Sequence, residues 1–132
     1  MRRQFNLPEG DEVYLASLNL PWETIIENNQ RWVVIHDFLL PKGYNQLKAS
    51  IAVKIESCYP DAQLDMVYFF PHLSRADQKP IGALAFYNLD GKNWQRWSRH
   101  RTPKNPWRPG IDDLSSHISL IQYWLKREFR KA

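Results

Sequence analysis

The clearest hydrophobic pattern in the chain is the alternation of apolar and polar residues over Leu47–Ile55. Successive side chains of a β-strand point to opposite faces of the sheet, so alternation is typical of a strand with one buried face. The pattern predicts a strand over residues 47–55. Its buried side would consist of Ala49, Ile51, Val53 and Ile55.

A hairpin is predicted upstream, because residues 22–38 contain two β-rich runs around Asn28–Gln30. Asparagine accepts the left-handed backbone that tight hairpin turns require. The second run has apolar residues at both odd and even positions, so neither of its faces would be polar, and we expect a central strand. The residues predicted to share one of these faces are Trp32, Val34, His36 and Phe38.

Two further strands are predicted later in the chain. An aromatic run, Leu64–Phe70, ends at Pro71, and a short run, Ile81–Asn88, is closed by the turn pair Asp90-Gly91.

Two helices are predicted, one near each end. The first covers residues 11–18 and has its acidic residues at the favourable N-terminal end. The second covers residues 113–129 and is capped by Asp112 or Asp113. It is amphipathic, since its apolar residues recur at spacings of four, three and four. These residues are Leu114, Ile118, Ile121 and Leu125.

The order of elements predicts an α+β fold, in which a long C-terminal helix covers one face of an antiparallel meander sheet of four to five strands. A chain of 132 residues fits one domain. We therefore expect a single domain over residues 1–132, with residues 1–10 as a flexible tail.

Positive charge is concentrated in one segment. The formal net charge is +4, and Lys92–Arg108 contributes six basic residues, so the rest of the chain sums to about −2. Basic residues interleaved with tryptophans are typical of a face that grips an acidic or flat group. A basic loop that is merely solvated is the alternative.

Several functional classes are disfavoured by composition. The single cysteine, Cys58, allows neither an internal disulfide nor a cysteine-built metal site. The four histidines lack metal-ligand spacing, so we predict no metal and no cofactor. No apolar run approaches the roughly 20 residues that span a bilayer. The first residues lack the apolar core of a signal peptide, and we therefore predict a cytoplasmic protein without membrane partners.

The order of motifs resembles that of the ubiquitin-conjugating (UBC) superfamily. Tyr59-Pro60 is similar to the Tyr-Pro turn after the sheet of that fold, and Trp107-Arg108-Pro109 is similar to its Trp-x-Pro motif before the helix. The WSRH sequence at residues 97–100 and the WRPG sequence at residues 107–110 resemble the branch called prokaryotic family E. The likeness covers most of residues 7–126.

This resemblance implies a UBC-like fold and an acyl transferase of a bacterial ubiquitin-like conjugation pathway. It implies as partners a ubiquitin-like modifier and a ThiF-type activating enzyme that adenylates the modifier's C-terminus. A JAB-type metallopeptidase, which trims or deconjugates the modifier, often accompanies them.

The sequence departs from the family at the expected nucleophile. Known conjugating enzymes carry a cysteine about where Arg99 stands, eight residues before Trp107. We predict that Ser98 takes the place of this cysteine as the nucleophile. His100 would act as its general base, because a serine hydroxyl needs a positioned base. An extended segment would place these two side chains on the same side. Arg99 or Arg101 would stabilise the oxyanion, and the product would be a serine oxyester.

Binding roles are predicted for the neighbouring basic and aromatic residues, with the tryptophans also anchoring the segment and Trp107 packing on the terminal helix. These residues are Arg96, Arg101, Trp97 and Trp107.

Three alternatives remain open. In the first, the protein is an inert UBC-like scaffold and the Ser-Arg-His triplet is structural. In the second, Cys58 is the nucleophile. In the third, the arginines and tryptophans bind nucleic acid. Among the other histidines, His36 is predicted to be a core residue of its strand with its hydrogen bonds satisfied. His72 and His117 are predicted at the surface.

Overall fold

The computed structural model describes residues 1–130, and its α+β architecture confirms the predicted fold class. No helix in this range is long and apolar enough to cross a membrane. In chain order the elements are α1 (Glu9–Ser17), β1 (Trp22–Glu27), β2 (Gln30–Leu39), β3 (Lys48–Ile55), β4 (Val67–Phe70), β5 (Leu84–Leu89), β6 (Lys92–Trp97), α2 (Leu114–Arg127) and a 3₁₀ turn (Glu128–Arg130).

Two tight hairpins fix the register at the edges of the sheet. Asn28 and Asn29 join β1 to β2 and have φ values of 52° and 60°. Asp90 and Gly91 join β5 to β6 with φ values of 54° and 71°. Two-residue turns with both φ values positive match the twist of antiparallel strands. Both predicted turns are confirmed.

The sheet has six antiparallel strands in the order β1-β2-β3-β4-β6-β5. The predicted four- to five-strand meander was therefore wrong in two respects. β6 forms inside the basic segment that was expected to be irregular, and it inserts between β4 and β5. The pattern missed β6 because polar Gln95 lies on its buried side, where it bonds the backbone of Leu73.

A β-bulge changes the predicted faces of β2. The register against β3 shifts between Ile35 and Phe38, and Asp37 has a φ of 56°. An extra residue in a strand reverses the alternation beyond it. Phe38 therefore packs in the same cluster as Val33 and Ile35, and its predicted place beside Trp32 was wrong.

Helix α2 covers one side of the sheet, which we call the inner face. Asp113 caps the helix: its side chain accepts from the Ser116 N–H (3.2 Å), and the Ser116 hydroxyl accepts from the Asp113 N–H (2.9 Å). Tyr44 fixes the other end, since its hydroxyl donates to the Leu125 carbonyl (2.6 Å). The predicted apolar stripe is confirmed as buried: Leu114, Ile118, Ile121 and Leu125.

The opposite side of the sheet, the outer face, carries a second apolar cluster. The even positions of β2 supply part of it, as expected for a strand without a polar face. Its buried members are Ile25, Trp32, Val34, Ala52, Tyr68, Leu89 and Trp94.

The first residues of the chain lie along β1. Arg2 pairs with Glu23 (2.9 Å) and Asp90 (2.6 Å), and the Gln4 N–H donates to the Thr24 carbonyl (2.9 Å). Sequence patterns did not indicate these contacts. The flexibility of residues 1–10 stays a prediction.

Candidate functional site

A groove lies between the irregular segment after β6 and the C-terminal half of α2. Its volume is about 420 Å³, and its walls are formed by residues 99–105 and residues 120–127. Arg99, Arg101 and Arg127 line it, and none of its described lining residues is acidic. We call it the basic groove. The Lys92–Arg108 segment thus contributes one wall of a concave, positively charged surface.

His100 borders this groove and is oriented by a carboxylate. Its Nδ1 lies 2.9 and 3.0 Å from the two oxygens of Asp65, and its side chain is 59% exposed. A neutral imidazole that donates from Nδ1 presents the lone pair of Nε2. A histidine held this way by a carboxylate is the arrangement that general bases use.

Ser98 does not hydrogen-bond His100. β6 ends at Trp97, and the Arg99 N–H donates to the Trp97 carbonyl (3.0 Å), so the chain turns at Ser98. The segment is therefore not extended at Ser98, which was the condition for Ser98 and His100 to share one side. The half-buried Ser98 hydroxyl has no hydrogen-bond partner among residues 1–130, and Ser98 does not line the basic groove.

The three groove arginines differ in how far they are already engaged. Arg99 donates to the Gly82 carbonyl (3.1 Å) and to the buried Glu128 (3.3 Å). The Arg101 side chain is 6% exposed and lies 3.8 Å from Asp112. Arg127 is exposed. The most accessible positive charge of the groove is therefore that of Arg127.

Asp112 fixes the segment that forms the groove wall. Its buried carboxylate accepts from the Arg108 N–H (2.7 Å) and the Arg108 Nε–H (3.3 Å). Burial opposes ionisation of Asp112, but the hydrogen bonds from Arg108 hold its pKa below the ordinary value. The carboxylate thereby closes the loop between Arg101 and α2.

The remaining predicted binding residues do not line the groove. Arg96 lies on the outer face of the sheet. Trp97 is 0% exposed and packs against Phe69 on the inner face, so its ring has no surface to offer a partner. Trp107 is half-buried and donates to the Pro60 carbonyl (3.0 Å). The turn containing Pro60, rather than α2, thus provides its hydrogen-bond partner.

The Tyr59-Pro60 turn joins three parts of the fold. The Tyr59 hydroxyl donates to Asp11 of α1 (2.5 Å), and Asp11 also accepts from the Leu114 N–H at the start of α2 (3.3 Å). Cys58 is exposed beside this turn, and its Sγ lies 3.9 Å from the Ser57 hydroxyl. It does not line the basic groove.

The strand histidine His36 has hydrogen-bond partners at both ring nitrogens, as predicted. Nδ1 lies 2.8 Å from Ser50 Oγ, and Nε2 lies 2.8 Å from Glu23 Oε2. Within residues 1–130, no three His, Cys, Asp or Glu side chains are grouped so that they could hold a metal ion.

His117 is buried, so its predicted place on the surface of α2 was wrong. The helix faces the start of β4 here, and His117 Nε2 lies 2.9 Å from the Met66 carbonyl. Burial lowers the pKa of His117 from 6.5 to about 4, although the bond to Met66 acts in the opposite direction. The folded protein thus keeps this imidazole neutral.

Acid is therefore expected to destabilise the protein through His117. His117 is protonated below pH 6.5 in the unfolded chain but only below about pH 4 in the folded chain. The stability that depends on this residue is therefore full above pH 6.5 and falls as the pH decreases. The loss between pH 7.5 and pH 5 should be about 2 kcal/mol. Urea unfolding of the wild type and of His117→Gln at both pH values checks this. An equal loss in the two proteins would contradict it.

The partner of His100 and three of the groove residues were not predicted from the sequence. Asp65 is a single carboxylate before an aromatic strand, and nothing in its neighbourhood indicated a partner 35 residues away. Tyr123, Trp124 and Arg127 lie on α2. The sequence does indicate that these three residues share one helix face, because spacings of three and four place Arg127 on the same side as the two aromatic residues.

Comparison with known proteins agrees with this architecture. The sequence model of prokaryotic E2 family E matches residues 7–128, which is nearly the whole chain. Comparisons with curated proteins and with solved structures gave no match. The short N-terminal helix, the antiparallel sheet and the long C-terminal helix form a UBC-like fold. The chain therefore belongs to prokaryotic E2 family E, a family of ubiquitin-conjugating-enzyme-like proteins.

Proposed function

We propose that this protein accepts a ubiquitin-like modifier from a ThiF-type activating enzyme and holds the modifier's C-terminal segment in the basic groove. Family membership supports a place in modifier conjugation at the general level. The observation that carries the proposal is the groove itself, with three arginines, two aromatic side chains and no acidic residue among its described lining.

The chemistry of the groove suits a chain terminus. Guanidinium groups bind carboxylates with charge-assisted hydrogen bonds, and aromatic side chains give contact area at low entropic cost. The exposed Tyr123 would pack against the extended segment, while Arg127 supplies the accessible charge. An oriented His100 stands at the same groove.

The covalent step would form a serine oxyester. The Ser98 hydroxyl oxygen attacks the activated carbonyl carbon of the modifier, and His100 Nε2 takes the hydroxyl proton. The bond from that carbon to AMP, or to the thiolate of the activating enzyme, then breaks. Asp65 would hold the resulting imidazolium. This step requires the turn at Ser98 to open, so that its hydroxyl reaches the imidazole. In this pathway a JAB-type metallopeptidase would remove the modifier again.

A second candidate is a scaffold without a covalent step. It is favoured by the turn at Ser98, because the hydroxyl is neither bonded to His100 nor part of the groove lining. In this alternative the groove binds the modifier or the activating enzyme, and the pairing of His100 with Asp65 is structural.

An adduct assay separates these candidates. The protein is incubated with ATP, a candidate ubiquitin-like protein and a ThiF-type enzyme, and a mass shift is sought on a gel. We expect an adduct that resists thiols, is cleaved by mild base and is absent in Ser98→Ala. Ser74→Ala, which removes another serine hydroxyl, is the matched control and should retain the adduct.

The other outcomes each assign a different function. A thiol-sensitive adduct that is lost in Cys58→Ala would move the chemistry to the cysteine. Modifier binding without an adduct would establish the scaffold. Tight binding to single-stranded nucleic acid that weakens steeply with salt would indicate the nucleic-acid alternative.

The groove has its own matched pair of variants on α2. Arg127→Gln should weaken binding of a modifier C-terminal peptide about tenfold, as expected for the loss of a hydrogen bond to a charged group. Lys126→Gln removes the same charge from a position outside the groove and should change the affinity little. Equal losses in a fluorescence titration would show that only the overall charge matters.

A further inference from the structure

A second depression lies on the outer face of the sheet, separate from the basic groove. Its volume is about 260 Å³, and strands β2, β3, β4, β5 and β6 all contribute to its lining. Trp32, Tyr68 and Tyr87 form its aromatic part, and Arg96 lies among them. We call it the outer-face pocket.

Trp32 contributes a buried donor without a protein acceptor. The residue is 1% exposed, and within residues 1–130 no side chain or carbonyl accepts a hydrogen bond from its Nε1–H. Buried polar groups are almost always hydrogen-bonded, because leaving one unpaired costs free energy. The other outer-face indole, Trp94, follows the rule and donates to the Leu89 carbonyl (3.0 Å). Trp32 is therefore an exception at the pocket.

Arg96 contributes a second donor to the pocket, and its positive charge has no carboxylate partner among the described residues. Its Nε is buried and has no hydrogen-bond partner among the described residues, and none of their carboxylates lies within ion-pair distance of its guanidinium. The neutral Tyr68 hydroxyl lies beside the guanidinium. A half-buried guanidinium in aromatic surroundings is stabilised by an anion.

Each of the two acidic residues of the pocket has a partner other than Arg96, and one of these partners, Lys54, also lines the pocket. Glu56 lies 3.8 Å from Lys54 Nζ, and Asp65 lies 2.9 Å from His100 Nδ1. The unpaired polar atoms of the pocket are thus donors, and one of them belongs to a cation. A ligand that accepts hydrogen bonds from both donors and carries a negative charge beside Arg96 would satisfy them.

We propose that the outer-face pocket binds a small monocarboxylate with a flat apolar body. The carboxylate oxygens accept from Trp32 Nε1 and from the Arg96 guanidinium, and the flat body packs against Tyr68 and Tyr87. The volume lies just below the range of about 300–1,000 Å³ typical of drug-sized ligands, which suits a single ring. This proposal does not depend on the basic groove or on modifier transfer.

Benzoate is the probe for a direct test by nuclear magnetic resonance. In ¹⁵N-labelled full-length protein, each tryptophan gives an indole N–H signal, and the Trp32 signal is assigned by its loss in Trp32→Phe. Benzoate at pH 7 should shift this signal saturably, and benzamide, which lacks the charge, should not. A peptide ending in phenylalanine, with a free or an amidated C-terminus, tells whether chain termini are accepted as well as free acids.

Arg96→Gln should weaken benzoate binding about 10- to 100-fold, as expected when a hydrogen bond to a charged group is lost. Lys92→Gln removes the same charge at an exposed position on the same strand and should leave the affinity unchanged. If Arg96→Gln does not fold, Arg96→Lys is the alternative variant. It keeps the positive charge but lacks the planar guanidinium that can donate to both carboxylate oxygens, and it should still weaken binding. An unsaturable shift, an equal response to benzamide, or equal losses in the Arg96 and Lys92 variants would overturn the proposal.

Discussion

Replacement of Trp97 by alanine is expected to destabilise the protein by about 3–5 kcal/mol, the range measured when a large aromatic side chain is removed from a core. Trp97 is fully buried at the end of β6. Its ring centroid lies 5.1 Å from that of Phe69 and 6.1 Å from that of Tyr44, and its Nε1–H donates to Gln95 (2.9 Å). Alanine would leave a cavity and remove the hydrogen bond together.

The size of the effect is measured by urea unfolding at pH 7.5. Trp97→Phe keeps most of the ring volume and should cost clearly less. Trp107→Ala removes a tryptophan of the same basic segment that is only half-buried, and it should also cost less. If Trp107→Ala were the more damaging variant, the assignment of Trp97 as the central packing residue of this segment would be wrong.

Replacement of Asp112 by alanine is expected to cost a similar amount, about 3–5 kcal/mol, because removing one partner of a buried ion pair leaves the other charge uncompensated. The carboxylate is buried and accepts from Arg108, and Arg101 lies 3.8 Å away with its side chain 6% exposed. The Arg108 N–H would also lose its acceptor. The loop that forms one wall of the basic groove would then lose its fixed shape.

The neighbouring residue provides a control for this variant. Asp113 is the N-cap of α2, and Asp113→Ala should cost only about 0.5–2 kcal/mol, the usual effect of removing a cap. Thermal unfolding of the two variants, with a titration of the modifier peptide, separates their effects. Equal stability losses would show that Asp112 acts through the start of the helix and not through the arginines.

The elements with regular patterns were predictable from the sequence. β3 follows strict alternation and α2 follows a helical repeat, because each has one face on the same core. β6 was missed since its buried side carries Gln95, whose amide is satisfied by the backbone of Leu73, a contact that only the folded sheet creates. Local pattern thus indicates burial of apolar groups but not burial of paired polar groups.

The candidate site was predicted less well for a related reason. The sequence located the basic segment and His100, and the structure places His100 and part of that segment, residues 99–105, at a groove. The relation between Ser98 and His100 depended on an extended backbone, and one hydrogen bond from Arg99 to Trp97 bends it. Asp65 reaches His100 only because β4 and β6 are adjacent in the sheet. Such neighbours are set by topology and leave no local trace.

α2 follows the strands of the sheet in the chain, and this order has a consequence for synthesis on the ribosome. All six strands emerge first, and the apolar surface that α2 later covers stays exposed to solvent until residues 114–125 leave the exit tunnel. Exposed apolar surface in such an intermediate favours aggregation. A nascent chain that has not yet released α2 is therefore expected to aggregate more readily than one in which α2 has packed on the sheet.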